Sequence, residues 1–129
     1  MTVIHAKDIS DMGLDAIIAK AREVVGDGPT YISFDIDSLD PAFAPGTGTP
    51  EVGGLTTREA LALIRGMRGV NLIGGDVVEV APVYDSTTNT AQNAAQMLFE
   101  ILSLIKFSPS LPVSARLKIR ALRYAVSFA

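Results

Sequence analysis

The passage from Thr30 to Leu55 restricts the fold more than any other feature of the chain. Thr30-Tyr31-Ile32-Ser33-Phe34-Asp35-Ile36 is rich in β-branched and aromatic residues and predicts a buried strand. It runs directly into residues 37–54, which hold three Pro and four Gly. Proline lacks an N–H and glycine is entropically costly to order, so this stretch predicts one long loop. A loop of that length in a compact chain is characteristically functional. Along a strand, residues i and i+2 share a face, so Asp35 and Asp37 are expected to project together. They would do so at the strand's carboxyl end, where open α/β sheets bind their ligands.

The flanking sequence alternates helical and strand patterns, which predicts an α/β fold with a parallel sheet. Thr2–Ala6 is a short apolar run that could form a strand. Leu14, Ile17, Ile18, Ala21 and Val25 recur at helical spacing, and Gly26-Asp27-Gly28-Pro29 ends that helix. Thr56-Thr57-Arg58-Glu59 has the form of a capping box opening a helix to about Met67. Val70–Val80 reads as the next strand, with Gly74-Gly75 admitting close approach by another backbone. After a polar loop, Ala81–Thr88, a helix is expected from about Asn89 to Ile105. Strand, helix, strand, helix in this order predicts a right-handed parallel crossover.

Composition removes several functions. With no Cys and a single His, the chain cannot build a disulfide framework, a thiolate centre or a zinc finger. No apolar run is long enough to span a bilayer, and the first residues lack a secretory pattern, so a cytoplasmic location is expected. Residues 1–105 carry all 14 acids against six Lys and Arg, a formal −8, which argues against nucleic-acid binding. Residues 106–129 carry five bases and no acid, +5, and read as a separate basic tail.

Among candidate site residues, Asp35 and Asp37 come first. Adjacent carboxylates repel, and a divalent cation keeps both ionised. All-oxygen coordination favours Mg²⁺ or Mn²⁺. The plainer alternative is that the two only cap the strand and begin a turn. For Asp40 before Pro41, a turn role is the better reading. Ala44-Pro45-Gly46-Thr47-Gly48-Thr49-Pro50 could wall a pocket above the aspartates or be a rigid surface loop. Glu79 stands near a strand end, where a carboxylate can grip a cationic substrate through paired hydrogen bonds. Asp76 reads as a structural hydrogen-bonding residue, and His5 as a packed histidine.

Taken in order, these segments resemble the ureohydrolase family of arginases and agmatinases. The resemblance rests on Ser33-Phe34-Asp35-Ile36-Asp37 with Asp40-Pro41, Ala44–Pro50, Gly53-Gly54-Leu55-Thr56 and Asp76–Pro82. Tyr84-Asp85 followed by Asn89-Thr90-Ala91 looks most like the agmatinase branch. It spans roughly residues 1–105 and implies part of a three-layer α/β/α sandwich of the arginase and deacetylase kind. It further implies a binuclear Mn²⁺ centre with Asp35 and Asp37 among the ligands, and Glu79 on the substrate guanidinium. The implied reaction is hydrolysis of a guanidino compound, agmatine foremost, to urea and an amine, by a homo-oligomer in complete members.

The sequence also departs from the family. The other metal ligands come from Gly-Gly-Asp-His and Asp-Ala-His-x-Asp segments upstream of this region, and neither occurs here. No catalytic residue proper is therefore assigned within this chain, and the site is expected to be incomplete. One rival reading is a catalytically silent fragment acting as an interaction module. Another is a haloacid-dehalogenase-like phosphatase, whose strand also ends in Asp-x-Asp, but its downstream Lys and acidic pair are not found. In the tail, Pro109 and Pro112 interrupt the last helix, and Ala115, Ile119, Leu122 and Val126 could line one stripe of a further helix.

Overall fold

The computed structural model describes residues 1–112. A 3-10 turn, Ala6–Asp8, leads into the single-turn helix α1, Ile9–Met12, and then α2, Leu14–Val25. Strand β1, Thr30–Asp35, is followed by a 3-10 turn, Ile36–Ser38, and the long loop. Helix α3, Thr57–Gly66, crosses to β2, Leu72–Val78. A 3-10 turn, Pro82–Tyr84, then precedes α4, Asn89–Ile105. The tail stripe of Ala115, Ile119, Leu122 and Val126 lies outside the described residues.

Strands β1 and β2 pair in parallel, with Asp35 opposite Val78. A parallel pair cannot be joined by a tight turn and needs a crossover, which α3 provides. The face carrying Ile32, Phe34 and Val77 meets a core of Ile36, Leu39, Ala60, Ile64, Leu72, Met97, Ile101 and Leu104. Those residues come from the post-strand turn and the loop after it, α3, β2 and α4, so one cluster ties both strands to α3 and α4, while α2 packs outside it. Gly75 is where helix and sheet come closest. A Cβ there would stand 2.6 Å from Ile101 Cγ2 and 2.7 Å from the Ile32 carbonyl oxygen.

Polar contacts close the helix ends and the helix–helix seam. The Thr56 N–H donates to Glu59 Oε2 at 2.8 Å and the Glu59 N–H to Thr56 Oγ1 at 3.2 Å. This is the reciprocal cap read from the sequence, and the Thr56 N–H and hydroxyl bonds hold the Glu59 carboxyl below its usual range. Arg22 Nη1 donates to the carbonyls of Gly66 and Arg68, both at 2.9 Å, satisfying the end of α3 with a cation. Arg65 and Glu100 join α3 to α4 through a two-point bond of 2.6 and 3.0 Å. Beyond α4 the chain stays packed as far as Ser108, which is buried, while Ser108 and Ser110 both donate to Asn71 Oδ1.

Two expectations are corrected. Thr2–Ala6 is not a strand; residues 1–5 are irregular and Ala6 begins a 3-10 turn. No strand among the described residues is there to pair with it, and a lone strand leaves its backbone groups unpaired. His5 is exposed rather than packed. Of the three layers expected in a complete fold, the described residues supply two. The opposite sheet face is open, with Tyr31 56% and Ile73 60% exposed.

Gly75→Ala should destabilise the chain by about 1–3 kcal/mol, because backbone on one side prevents relaxation. Adding Ile101→Leu, which lacks the Cγ2 branch that a Cβ at position 75 would meet, should recover part of that loss in urea unfolding. Additive losses in the double variant would show that the Ile101 contact is not the obstacle.

Candidate metal and substrate site

The candidate residues gather at the carboxyl ends of the two strands, but not by strand alternation. Strand β1 stops at Asp35, and Asp37 sits in the 3-10 turn that follows. Asp35 Oδ1 accepts the Asp37 N–H at 3.1 Å, and the Ser38 hydroxyl donates to the Asp35 carbonyl at 2.6 Å. A side-chain turn therefore brings Asp35 and Asp37 together where the pleat was expected to do so. Asp40 fulfils its expected turn role. Its carboxylate accepts the Ala42 and Gly53 N–H groups, each at 2.9 Å, and these bonds hold its pKa below the ordinary value.

The long loop then returns beside its own beginning. Leu55 N–H donates to the Ser38 carbonyl at 2.8 Å and Asp40 N–H to the Leu55 carbonyl at 3.0 Å. Gly54 permits this, since a Cβ there would meet the Asp40 nitrogen at 2.5 Å. Between these anchors, Thr49 Oγ1 donates to Asp37 Oδ2 at 2.6 Å, and buried Thr47 donates to the Glu79 carbonyl at 2.9 Å.

Glu79 follows the last residue of β2 and has φ +64°, a left-handed conformation that a residue with a Cβ adopts only under constraint. It stands close enough to act electrostatically on Asp35. Burial raises the Asp35 pKa, the Asp37 N–H draws it back, and the negative charges of Asp37 and Glu79 push it up again. Neither aspartate nor Glu79 has an ion-pair partner among the described residues. Asp35 and Asp37 are joined by one hydrogen bond and Glu79 bears on Asp35 through its charge, with no cation paired to any of the three among the described residues.

That arrangement fits part of a cation site. Its donors are carboxylate oxygens, as a hard divalent ion prefers. Among the described residues, however, no group of three or more His, Cys, Asp or Glu is placed to hold a metal ion. Asp35 and Asp37 suit a shared site and do not make one alone. Asp76 lies apart, in mid-strand on the open face. Its Oδ2 accepts the Tyr31 hydroxyl at 3.0 Å, raising the Tyr31 pKa, while its buried Oδ1 has no hydrogen-bond partner among the described residues.

Sequence reasoning quoted Thr47, Thr49, Asp85 and Thr90 within its motifs but gave none of them a role of its own. The cue for the threonines was their own spacing, Gly-Thr-Gly-Thr, which alternates small and hydroxyl side chains through an extended loop. For Asp85 the cue was an acid shortly before a helix. Its carboxylate accepts the Thr90 and Ala91 N–H groups at 3.2 and 2.9 Å, capping α4 from four residues before its start. Burial would raise its pKa, but those bonds outweigh it and the net shift is downward.

A sequence model described as the arginase family matches residues 1–103. Guanidinopropionase from Pseudomonas aeruginosa is 56% identical over 103 residues, covering 80% of this chain and 32% of that protein. An agmatinase from Enterobacter sp. is 54% identical over 101 residues, covering 78% of this chain and 33% of the relative. The chain therefore spans about a third of the length of these curated relatives. Among solved structures, a hypothetical agmatinase from Burkholderia thailandensis aligns with TM-score 0.77 and 51% identity, covering 81% of this chain and 33% of that one. Proclavaminate amidino hydrolase from Streptomyces clavuligerus aligns with TM-score 0.79 and 43% identity, covering 81% and 35%.

Asp85→Ala should lower the urea midpoint at neutral pH. A depressed folded pKa contributes stability above the unfolded carboxyl pKa and loses it as pH falls through the folded value. The gap between variant and parent should therefore close on acidification through that range, and a gap independent of pH would remove the charged cap from the account.

Proposed function

Since the chain belongs to the arginase family, we propose that it contributes part of the centre of a manganese-dependent amidinohydrolase, which cleaves a guanidino compound to urea and an amine. What carries this reading is the placement of Asp35 at the end of β1, Asp37 in the turn that follows it and Glu79 directly after the paired strand β2. When bound, manganese supplies Lewis-acid activation of water. Asp35 and Asp37 would hold it, the first oriented by the Asp37 N–H and the second by the Thr49 hydroxyl. Glu79 would take the guanidinium through paired charge-assisted hydrogen bonds and turn its carbon toward the metal side.

Two aspartates are too few ligands for this chemistry, so further ligands must come from outside the described residues. This favours a second reading for the chain by itself, a silent module that completes its chemistry only in company. Agmatine is the leading substrate. A guanidinopropionase and an agmatinase are nearly equally similar, so guanidinopropionate belongs on the same panel. Substrate, manganese and homo-oligomeric assembly are all parts of this proposal. Among the described residues, no helix is long and apolar enough to cross a membrane.

Urea release with Mn²⁺ across agmatine, guanidinobutyrate and guanidinopropionate tests the reading. The chain alone should release none, whereas the chain fused behind the first two thirds of a related agmatinase should be active. In that fusion, Asp35→Ala or Asp37→Ala should weaken Mn²⁺ binding by at least about 100-fold, beyond what loss of an outer-shell partner costs. Unchanged metal content in both variants would refute the ligand assignment. Glu79→Gln should keep the metal and lose activity, since a neutral amide cannot match the cationic guanidinium.

A further inference from the structure

Glu79 is held from an unexpected direction. Its left-handed backbone is not supplied by a glycine, nor does the β2 ladder reach it, since the last pair is Asp35 with Val78. What touches its backbone is the Thr47 hydroxyl, 2.9 Å from the Glu79 carbonyl oxygen. Thr47 is only 3% exposed, so water cannot readily replace that bond. A second bond two residues on, from the Ala81 N–H to the Gly46 carbonyl at 2.8 Å, ties the same two segments.

The segment doing the holding is itself fastened. The Gly46 N–H donates to Thr90 Oγ1 at 2.8 Å, and Thr90 is fully buried in the first turn of α4. Gly46 also lies so close against Asp85 that any side chain would run into the Asp85 Cβ. Since Asp85 caps α4, the start of that helix, Gly46-Thr47 and Glu79 form one connected stack. Further along the loop, Thr49 reaches Asp37.

We infer that Thr47 is a positioning residue, which keeps Glu79 in its left-handed conformation and so fixes where the Glu79 carboxylate stands relative to Asp35 and Asp37. Released from Thr47, Glu79 would relax to the extended conformations favoured by residues with a Cβ, swinging its side chain away from the strand ends. With Thr47 and Thr49 two residues apart, one short loop sets the gap between the proposed guanidinium anchor and the proposed metal ligands. The consequence for substrate rests on the reading of Glu79 as that anchor; the backbone claim does not.

The test uses the whole chain, isotope-labelled, with the φ of Glu79 read from its backbone scalar couplings by NMR. The parent and Thr47→Ser should both show positive φ, because serine keeps the hydroxyl. Thr47→Val, nearly the same shape without the donor, should move Glu79 to extended values. A folded Thr47→Val that retains positive φ overturns the inference. Should Thr47→Val not fold, Glu79→Gly is added, since glycine takes the left-handed region unaided. Recovery of the fold supports the inference, and continued unfolding overturns it. Agmatine titrated into the Mn²⁺-loaded fusion proposed above should bind at least about tenfold more weakly when the fusion carries Thr47→Val, with binding restored by Thr47→Ser. If the fusion with Thr47 intact binds no agmatine, the anchor reading falls, while the φ measurement on the chain still decides the role of Thr47.

Discussion

The parallel register of β1 on β2 is the constraint on which the remaining structure depends. Pairing Asp35 with Val78 brings both strands to an end at the same height. The residues just past those ends, Asp37 on one side and Glu79 on the other, then lie at the same end of the sheet. Two antiparallel strands would send the same residues to opposite ends of the sheet. The register in turn depends on Gly75, where the absence of a side chain lets Ile101 settle between helix and ladder. The geometry of the proposed site at the strand ends is thus coupled to packing some residues away.

Like charges brought together must be restrained by something other than mutual attraction. Here the restraint comes from neutral donors: backbone N–H groups and threonine hydroxyls that touch the carboxylates or the backbone carrying them. Such groups orient an acid without neutralising it, so its charge stays available to a cation or a guanidinium. A lysine or arginine in the same place would occupy the lone pairs that the proposed reaction needs. The loop between Asp40 and Leu55 supplies those donors, and its proline and glycine content suits a rigid scaffold lying outside any ladder.

The elements were largely legible in the sequence because each carried a local signal. The helix from Asn89 to Ile105 and the reciprocal cap of Thr56 with Glu59 follow from periodicity and from side chains close in sequence. The strand proposed for Thr2–Ala6 failed because a strand is defined by its neighbour, and apolar character says nothing about whether one exists. Asp35 and Asp37 were expected together, but by the wrong means. Period-two reasoning holds only while the strand continues, and β1 ends at the first of them. The left-handed Glu79 and its tie to Thr47 could not be read at all, since they join residues 32 apart through a bond that no local pattern encodes.

The open side of the sheet carries a different consequence. Each strand has one neighbour and one unpaired edge among the described residues, and Tyr31, Ile73 and Val78 stand bare on one face. Unpaired N–H and C=O groups beside exposed apolar side chains are a template for further strands. Natural sheets blunt such edges with lysines, prolines or bulges; β1 and β2 contain neither lysine nor proline, and their ladder has a single register shift, between Thr30 and Tyr31. In the cell, the fate of such a surface is a matter of timing. Whichever strand arrives first, whether from its own fold or from a stranger, decides between a finished sheet and an aggregate.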